Sequence, residues 1–331
     1  MAKNVDGKIY TFGEASWHGD DVVSMENDTA VEALGKIGGG YFFEKRYVKT
    51  FLNGQETELD DRFTIVRSAS PHDPVERVFD VMGKDYNIVQ PLDIAYTFDE
   101  RVGLPVDTLG FLGNGERMFI TWKQEEFEVK KGDLIKPRGF VAAGFNRVLG
   151  LRLSQVEERV VCENTFLAAF REGGVVWSGR HNSPNLLRDL GAWMSHIKGE
   201  SDRQLDYMKR FFNAMANYSM DKKEAQEILY GNVYPSKSIP VDYPEELLNE
   251  KVDQVEKSIE FSERSVDGVM DLFGGNGIAI DATAWGLFNS VTEYENHHRA
   301  VRKDPENSIL FGARGQAMNR MAMALVERVN L

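Results

Sequence analysis

The sequence holds a single cysteine, Cys162, among 331 residues. No intrachain disulfide can form and a multi-cysteine zinc site is excluded, so a reducing compartment is expected. No apolar run approaches the roughly 18 residues of a membrane span, and the opening Met-Ala-Lys-Asn-Val-Asp lacks the apolar stretch of a secretory signal. A soluble, unprocessed chain is therefore expected. Positive charge is scarce: 39 Lys and Arg face 52 Asp and Glu, a net charge of −13. That balance opposes indiscriminate wrapping of a polyanion and confines any nucleic-acid contact to a local surface. Neither G-x-x-x-x-G-K-[ST], H-E-x-x-H nor G-x-S-x-G occurs, and Gly113-Asn114-Gly115 and Gly274-Gly275-Asn276-Gly277 complete no dinucleotide fingerprint. ATP motors, standard dehydrogenases, common zinc proteases and ordinary serine hydrolases are disfavoured. Internal repeats and low-complexity tracts are also missing.

What is present, 42% hydrophobic and 11% aromatic residues, suffices for one large core or two ordinary ones. Asp28-Thr29 predicts a cap for a short helix through Ile37, stopped by Gly38-Gly39-Gly40. Tyr41 to Phe51 and Phe63 to Arg67 predict an antiparallel pair joined by a longer loop around Asn53-Gly54. Val75 to Met82 predicts a strand and Tyr86 to Val89 a short extended piece, with Pro91 in the first turn of a helix. Met118 to Trp122, Phe140 to Phe145 and Arg147 to Leu153 read as strands, with glycines 110, 113, 115, 132, 139, 144 and 150 as turns. Downstream, Thr165 to Phe170, Asn185 to Tyr218, Asp221 to Leu229, Pro244 to Phe273, Ala282 to Arg302 and Gly315 to Asn330 read as helices. The expected class is α+β, an antiparallel β-rich N-terminal half followed by a mostly helical C-terminal half. The expected division is a β-rich half at 1–163, a helical extension at 164–230, a linker at 231–244 and, at 245–331, helices packing back on the core.

Several constellations carry chemical possibilities. Phe43, Lys45, Tyr47, Lys49 and Phe51 alternate onto one strand face, and rings interleaved with ammonium groups suit an unpaired nucleic-acid strand. The same pattern also fits a core face with lysines at its rim. Arg180-His181 ahead of a long helix, Arg299, and Arg314 leading into the last helix are candidate phosphate contacts at helix mouths. Val175-Val176 is expected to be a strand leading into that turn. Asn289, Glu293 and His297 step by four along a predicted helix, a polar network in which a carboxylate orients an imidazole. With His181 added, the same groups could surround a metal. Cys162 reads as a buried small residue or as a nucleophile near a helix start capped by Asn164 or Thr165. Leu248, Val252, Val255, Ile259, Ser262, Val266, Val269 and Phe273 trace a coiled-coil seam, and Glu245 to Asp271 carries nine acidic and three basic residues. That seam suits packing on the chain's own core or self-association.

Ala15-Ser16-Trp17-His18-Gly19, Val81-Met82-Gly83-Lys84-Asp85-Tyr86, Val161-Cys162-Glu163-Asn164-Thr165, Arg180-His181 and the segment from Trp285 through His297 together resemble the phage/plasmid-like proteins of domain-of-unknown-function family 932. Ser290 departs from that pattern, where alanine is usual. The resemblance implies a phage or prophage gene and a host-cytoplasm location, but no activity. The architecture resembles that of phage single-strand annealing proteins, a likeness of fold from which function does not follow.

Three readings follow. The first is an oligomeric phage protein of replication or recombination that binds single-stranded DNA, and could anneal it, through Lys45, Tyr47 and Lys49 with Arg180, His181, Arg299 and Arg314 on phosphates. It needs no cofactor, no resident metal and no catalytic residue. The second is a metal-dependent enzyme acting on nucleotides or nucleic acid, centred on Glu293, His297 and His181. The third is an interaction protein that inhibits a host protein through the acidic helix. None of them involves a membrane.

Overall fold

The computed structural model describes residues 8–13, 21–70, 73–130, 133–147, 149–159, 164–166, 177–240, 248–277, 281–299 and 313–329. In chain order the strands are β1 (Ile9–Phe12), β2 (Asp21–Ser24), β3 (Phe43–Leu52), β4 (Gln55–Arg67), β5 (Arg77–Gly83), β6 (Thr108–Leu112), β7 (Arg117–Lys123), β8 (Phe127–Lys130), β9 (Asp133–Gly144), β10 (Leu151–Arg159), β11 (Asn164–Phe166) and β12 (Trp177–Gly179). The helices are α1 (Ala30–Lys36), α2 (Pro91–Arg101), α3 (Leu186–Asn217), α4 (Lys222–Ile228), α5 (Leu248–Asp271), α6 (Ala284–Glu293) and α7 (Ala313–Arg328). The class is α+β, with strands in the N-terminal half and most helices in the C-terminal half.

Two compact units are distinguished. The first comprises Met1–Gln124, Pro137–Gln155 and Gly174–Asp202, the second Glu125–Lys136, Val156–Gly173 and Arg203–Leu331. In the first unit, strands run in the order β2-β1-β6-β7-β9-β10, with β12 also pairing β10. The β1–β2 pair is parallel, whereas β1–β6, β6–β7, β7–β9 and β10–β12 are antiparallel. Thr29 starts α1 by accepting from the Glu32 amide while the Glu32 carboxylate accepts from the Thr29 amide, a reciprocal cap. Pro91 occupies the first turn of α2, where its missing N–H is no loss. Leu186, Leu190, Met194 and Ile197 step by four and three along α3 and are buried with Tyr10, Phe98, Phe111, Ile120 and Trp122 in one core. A separate three-stranded antiparallel sheet, β3-β4-β5, belongs to the same unit.

The second unit is built around α6, all ten of whose residues are buried. Trp285 and Phe288 stack with ring centroids 5.8 Å apart, and Phe212 from α3 lies 5.1 Å from Trp285. Met318, Met321 and Leu325 of α7 join this core with Val266 and Val269 of α5. The seam of α5 therefore divides. Ser262, Val266, Val269 and Phe273 are buried, whereas Val252 and Val255 are half-buried and Ile259 is exposed. From Ser262 onward the seam serves the chain's own core.

Several expectations are corrected. Thr165 to Phe170 does not begin as a helix: Asn164–Phe166 is a strand, held antiparallel by β10 through Glu157–Phe166, Glu158–Thr165 and Arg159–Asn164. Tertiary pairing outweighs the capping signal there; residues 167–170 lie outside the described ones. The β3–β4 connection is no long loop but the two-residue turn Asn53-Gly54, with φ of 53° and 80°, the left-handed pair that a tight hairpin requires. β10 starts at Leu151 rather than Arg147, which has φ 67°. Gly110, Gly139 and Gly144 lie inside strands. At Gly139 the reason is close approach, because a Cβ there would fall within the Trp122 ring. The helix expected from Ala282 to Arg302 ends its α-turns at Glu293 and continues as a π-turn, Tyr294–His298. In the stretch named as a linker, Val233 and Tyr234 are buried. Ala15 to Gly19, Gly132, Cys162 and Val175-Val176 lie outside the described residues.

Candidate functional site

The β3 face behaves as its alternation suggests, with a gradient along it. Phe43 is buried, while Lys45, Tyr47, Lys49 and Phe51 are exposed. Tyr47 retains 58% and Phe51 72% of its surface, and the β3–β4 register shifts between Tyr47 and Lys49. Lys45 lies 4.2 Å above the Phe63 ring, so it lines the rim of the core face as well as the solvent. Lys49 pairs with Glu56 at 2.5 Å, and Arg46 pairs with Glu44 and Glu76. From Phe43 to Arg67 five acidic residues balance five basic ones. The surface is thus aromatic and ion-paired, not strongly positive.

A second feature lies at the β4–β5 end of that sheet. Arg62, Val81, Met82, Gly83, Tyr86 and Arg147 line an open cleft of about 410 Å³. Arg62 pairs with Asp61 at 2.8 Å, and Arg147 stands 3.9 Å from Asp80; both arginines are well exposed. Tyr86 stacks on His181 with centroids 4.5 Å apart and planes 10° from parallel. His181 is only 5% exposed. Its Nδ1 is 3.0 Å from the Asn87 carbonyl, an acceptor, so Nδ1 carries the hydrogen and donates. The amide of Asn87 in turn donates to the His181 carbonyl at 2.6 Å. Among the described residues neither the buried Nε2 nor the buried Tyr86 hydroxyl has a hydrogen-bond partner. Burial pushes the imidazole down from its ordinary value, against the opposite pull of the Asn87 and Gly144 carbonyls. Burial pushes the Tyr86 phenol up. The pair is accordingly neutral at physiological pH.

The family model described as "Domain of unknown function (DUF932)" matches residues 78–313, more than half of the chain. The chain belongs to the DUF932 family. No curated protein and no solved structure matches it. The DUF932 match includes β5 from Val78 onward, Tyr86, Arg147, His181 and α6, whereas β3 and β4, with Lys45, Tyr47, Lys49 and Arg62, precede it.

The remaining expected residues of this DUF932 chain fall in different settings. Arg180 is exposed just after β12, while its neighbour His181 turns inward. Arg299 is committed inside the second unit. It makes two hydrogen bonds to Glu295, at 2.7 and 3.0 Å, and its guanidinium lies 5.0 Å over the Phe261 ring. Glu295 is fully buried and also accepts from the Tyr234 hydroxyl at 2.8 Å. Burial, then the neighbouring Glu295 carboxylate, pushes the Tyr234 phenol up. Arg314 lies in the first turn of α7.

Asn289 and Glu293 are buried on α6, and the Asn289 amide donates to the Trp285 carbonyl at 2.7 Å. The imidazole that stands 3.7 Å from Glu293 is that of His298. The π-turn explains the change, since five-residue spacing replaces four once the Arg299 amide bonds the Tyr294 carbonyl. His297 is exposed. Among the described residues no group of three His, Cys, Asp or Glu side chains could hold a metal ion. Sequence reasoning passed over Arg62, Tyr86 and Arg147. The usable signals were the turn Gly83-Lys84-Asp85 before Tyr86 and the Gly144 to Gly150 bend that carries Arg147.

Proposed function

We propose that the first unit of this DUF932 protein binds single-stranded nucleic acid across the β3 face of the β3-β4-β5 sheet, without sequence preference. The observation that supports this reading is the exposure of Tyr47 and Phe51 on the strand face that also carries Lys45 and Lys49. Every base offers a π-face, so stacking on such rings tolerates any sequence. The ion pair of Lys49 with Glu56 is exposed on both sides, and such pairs are worth at most about 1 kcal/mol. A phosphate can therefore replace the carboxylate at small cost. Arg180 is a further surface cation of the same unit.

The charge balance of the hairpin sets a quantitative expectation. With phosphate contacts restricted to Lys45 and Lys49, and each worth a slope of about −0.7 for single strands, log K should fall by roughly 1.4 per tenfold rise in salt. A labelled single strand titrated from about 50 mM salt upward measures it. No binding at the lowest salt overturns the proposal. A slope several times steeper also overturns it, because the contacts would then lie on a basic surface other than this one.

A further inference from the structure

The cleft between Arg62, Tyr86 and Arg147 uses none of the strand-binding residues, and it has its own chemistry. Two guanidiniums reach it from β4 and from the bend after β9. Tyr86 lines the cleft with His181 stacked behind it, and the Tyr86 hydroxyl is buried with no described group to satisfy it. A polar atom left in that condition destabilises the empty protein. Arg147 adds a second sign of constraint. Its φ is 67°, a left-handed conformation disfavoured for any residue with a Cβ. The bend is nonetheless held there, by the Phe145 amide on the Glu116 carbonyl at 2.8 Å and the Asn146 amide on the Glu116 carboxylate at 3.2 Å. Glycine would fit this backbone better, so the strain is tolerated for the sake of the guanidinium.

We infer that this cleft is a binding site for a phosphomonoester, of the size of a nucleoside monophosphate. Arg62, Arg147 and the Tyr86 hydroxyl donate to the phosphate oxygens, while His181, stacked behind Tyr86, holds that ring in place. The volume of about 410 Å³ falls in the range of small-molecule sites, roughly 300 to 1,000 Å³. Arginine pairs are suited to planar, two-point recognition of phosphate. Asp61 and Asp80 already neighbour the two arginines, but these exposed pairs are weak and a phosphate dianion displaces them. The phosphomonoester can come from a free nucleotide or from the phosphorylated end of a strand.

The test uses the full chain and four probes: inorganic phosphate, deoxyadenosine 5′-monophosphate, and an oligo-dT with either a 5′-phosphate or a 5′-hydroxyl. Binding is read by calorimetry and by the rise in melting temperature. Y86F keeps the stacked ring and removes only the unpartnered hydroxyl. R147G relieves the left-handed strain and removes the cation. Both variants should melt at or above the wild-type temperature, yet bind the phosphomonoester probes about tenfold or more weakly. Binding of the mononucleotide places the ligand among free nucleotides. Preference for the 5′-phosphorylated strand over its 5′-hydroxyl twin places it at strand ends. Absence of both effects at millimolar probe overturns the inference, as does equal binding by wild type, Y86F and R147G. Strand binding that ignores the 5′-phosphate removes this site and leaves the β3 surface standing; mononucleotide binding without strand binding does the reverse.

Discussion

Replacing Arg299 by methionine should cost the second unit about 3–5 kcal/mol, the usual consequence of stranding one member of a buried ion pair. The magnitude follows from what remains. Glu295 has no exposed surface, and its carboxylate faces Arg299 at 2.7 Å on one oxygen and 3.0 Å on the other. Without the guanidinium, the Tyr234 hydroxyl at 2.8 Å is a neutral donor set against a desolvated charge. The residue most able to relax the loss is Tyr234 itself, but its backbone carbonyl is held by the Ser262 hydroxyl. Methionine keeps most of the apolar stem over Phe261, so the measured loss isolates the charge rather than the packing.

Urea unfolding monitored by tryptophan fluorescence suits this measurement, because Trp285 lies in the core of the same unit. A destabilisation of this size corresponds to a fall in melting temperature on the order of 10 °C. The double variant E295Q/R299M should be more stable than R299M alone, since the uncompensated charge is gone; the cycle then reports a coupling of more than about 1 kcal/mol. Binding of a single strand by R299M below its melting temperature should equal that of wild type. A loss under about 1 kcal/mol, or a cycle that is simply additive, would refute the assignment of Arg299 to the core and return it to the list of surface cations.

Tyr47→Ala should weaken single-strand binding about five- to 150-fold, the range for one lost base stack, while leaving the urea midpoint unchanged because the ring is mostly exposed; a loss of stability in step with the loss of binding would contradict it. Gly139→Ala should destabilise the first unit by about 1–3 kcal/mol, since Trp122 must leave its place beside Phe98, and near-ultraviolet circular dichroism should record the displaced indole. The third concerns acid. The Arg77 guanidinium beside Asp73 holds its carboxyl down to about 2, below an ordinary value of 3.8, with Arg67 adding to the effect. A depressed folded-state value stabilises the native state above the unfolded value and ceases to do so as pH falls from about 4 through 2. Asp73→Asn should therefore be less stable than wild type at neutral pH and converge with it near pH 2; a constant gap across that window would show that the carboxylate's charge is not what matters.

Where local chemistry decides the structure, the sequence was a sufficient guide. Thr29 with Glu32, and Pro91, each act within four residues, and each does in the structure what its side chain dictates. The strand-rich first half and helical second half follow from periodicity alone. The failures share a different cause. Asn164–Phe166 is a strand because β10 pairs with it, and Gly139 lies inside a strand because Trp122 covers it; neither partner is adjacent in sequence. The Glu293 neighbour changed from His297 to His298 because the chain widened into a π-turn, which a count by fours cannot anticipate. Tyr86 and His181 stack across 95 positions of chain, so their joint burial leaves no local trace.

The two candidate surfaces of the first unit differ in what confines them. On β3, Tyr47 and Phe51 are held by strand pairing alone and remain open to solvent, so they suit a ligand that is long, repetitive and variable in sequence. In the cleft, a strained arginine, a stacked imidazole and two unpartnered polar atoms fix positions to within hydrogen-bond reach, a degree of preorganisation that favours one small group over many. Val81 to Tyr86 lines the second surface and His181 stacks on Tyr86, and both fall within the span matched by the DUF932 model, which the β3 platform does not. Tyr86 and His181 thus lie inside the span matched by the family model, and Tyr47 and Phe51 lie before it.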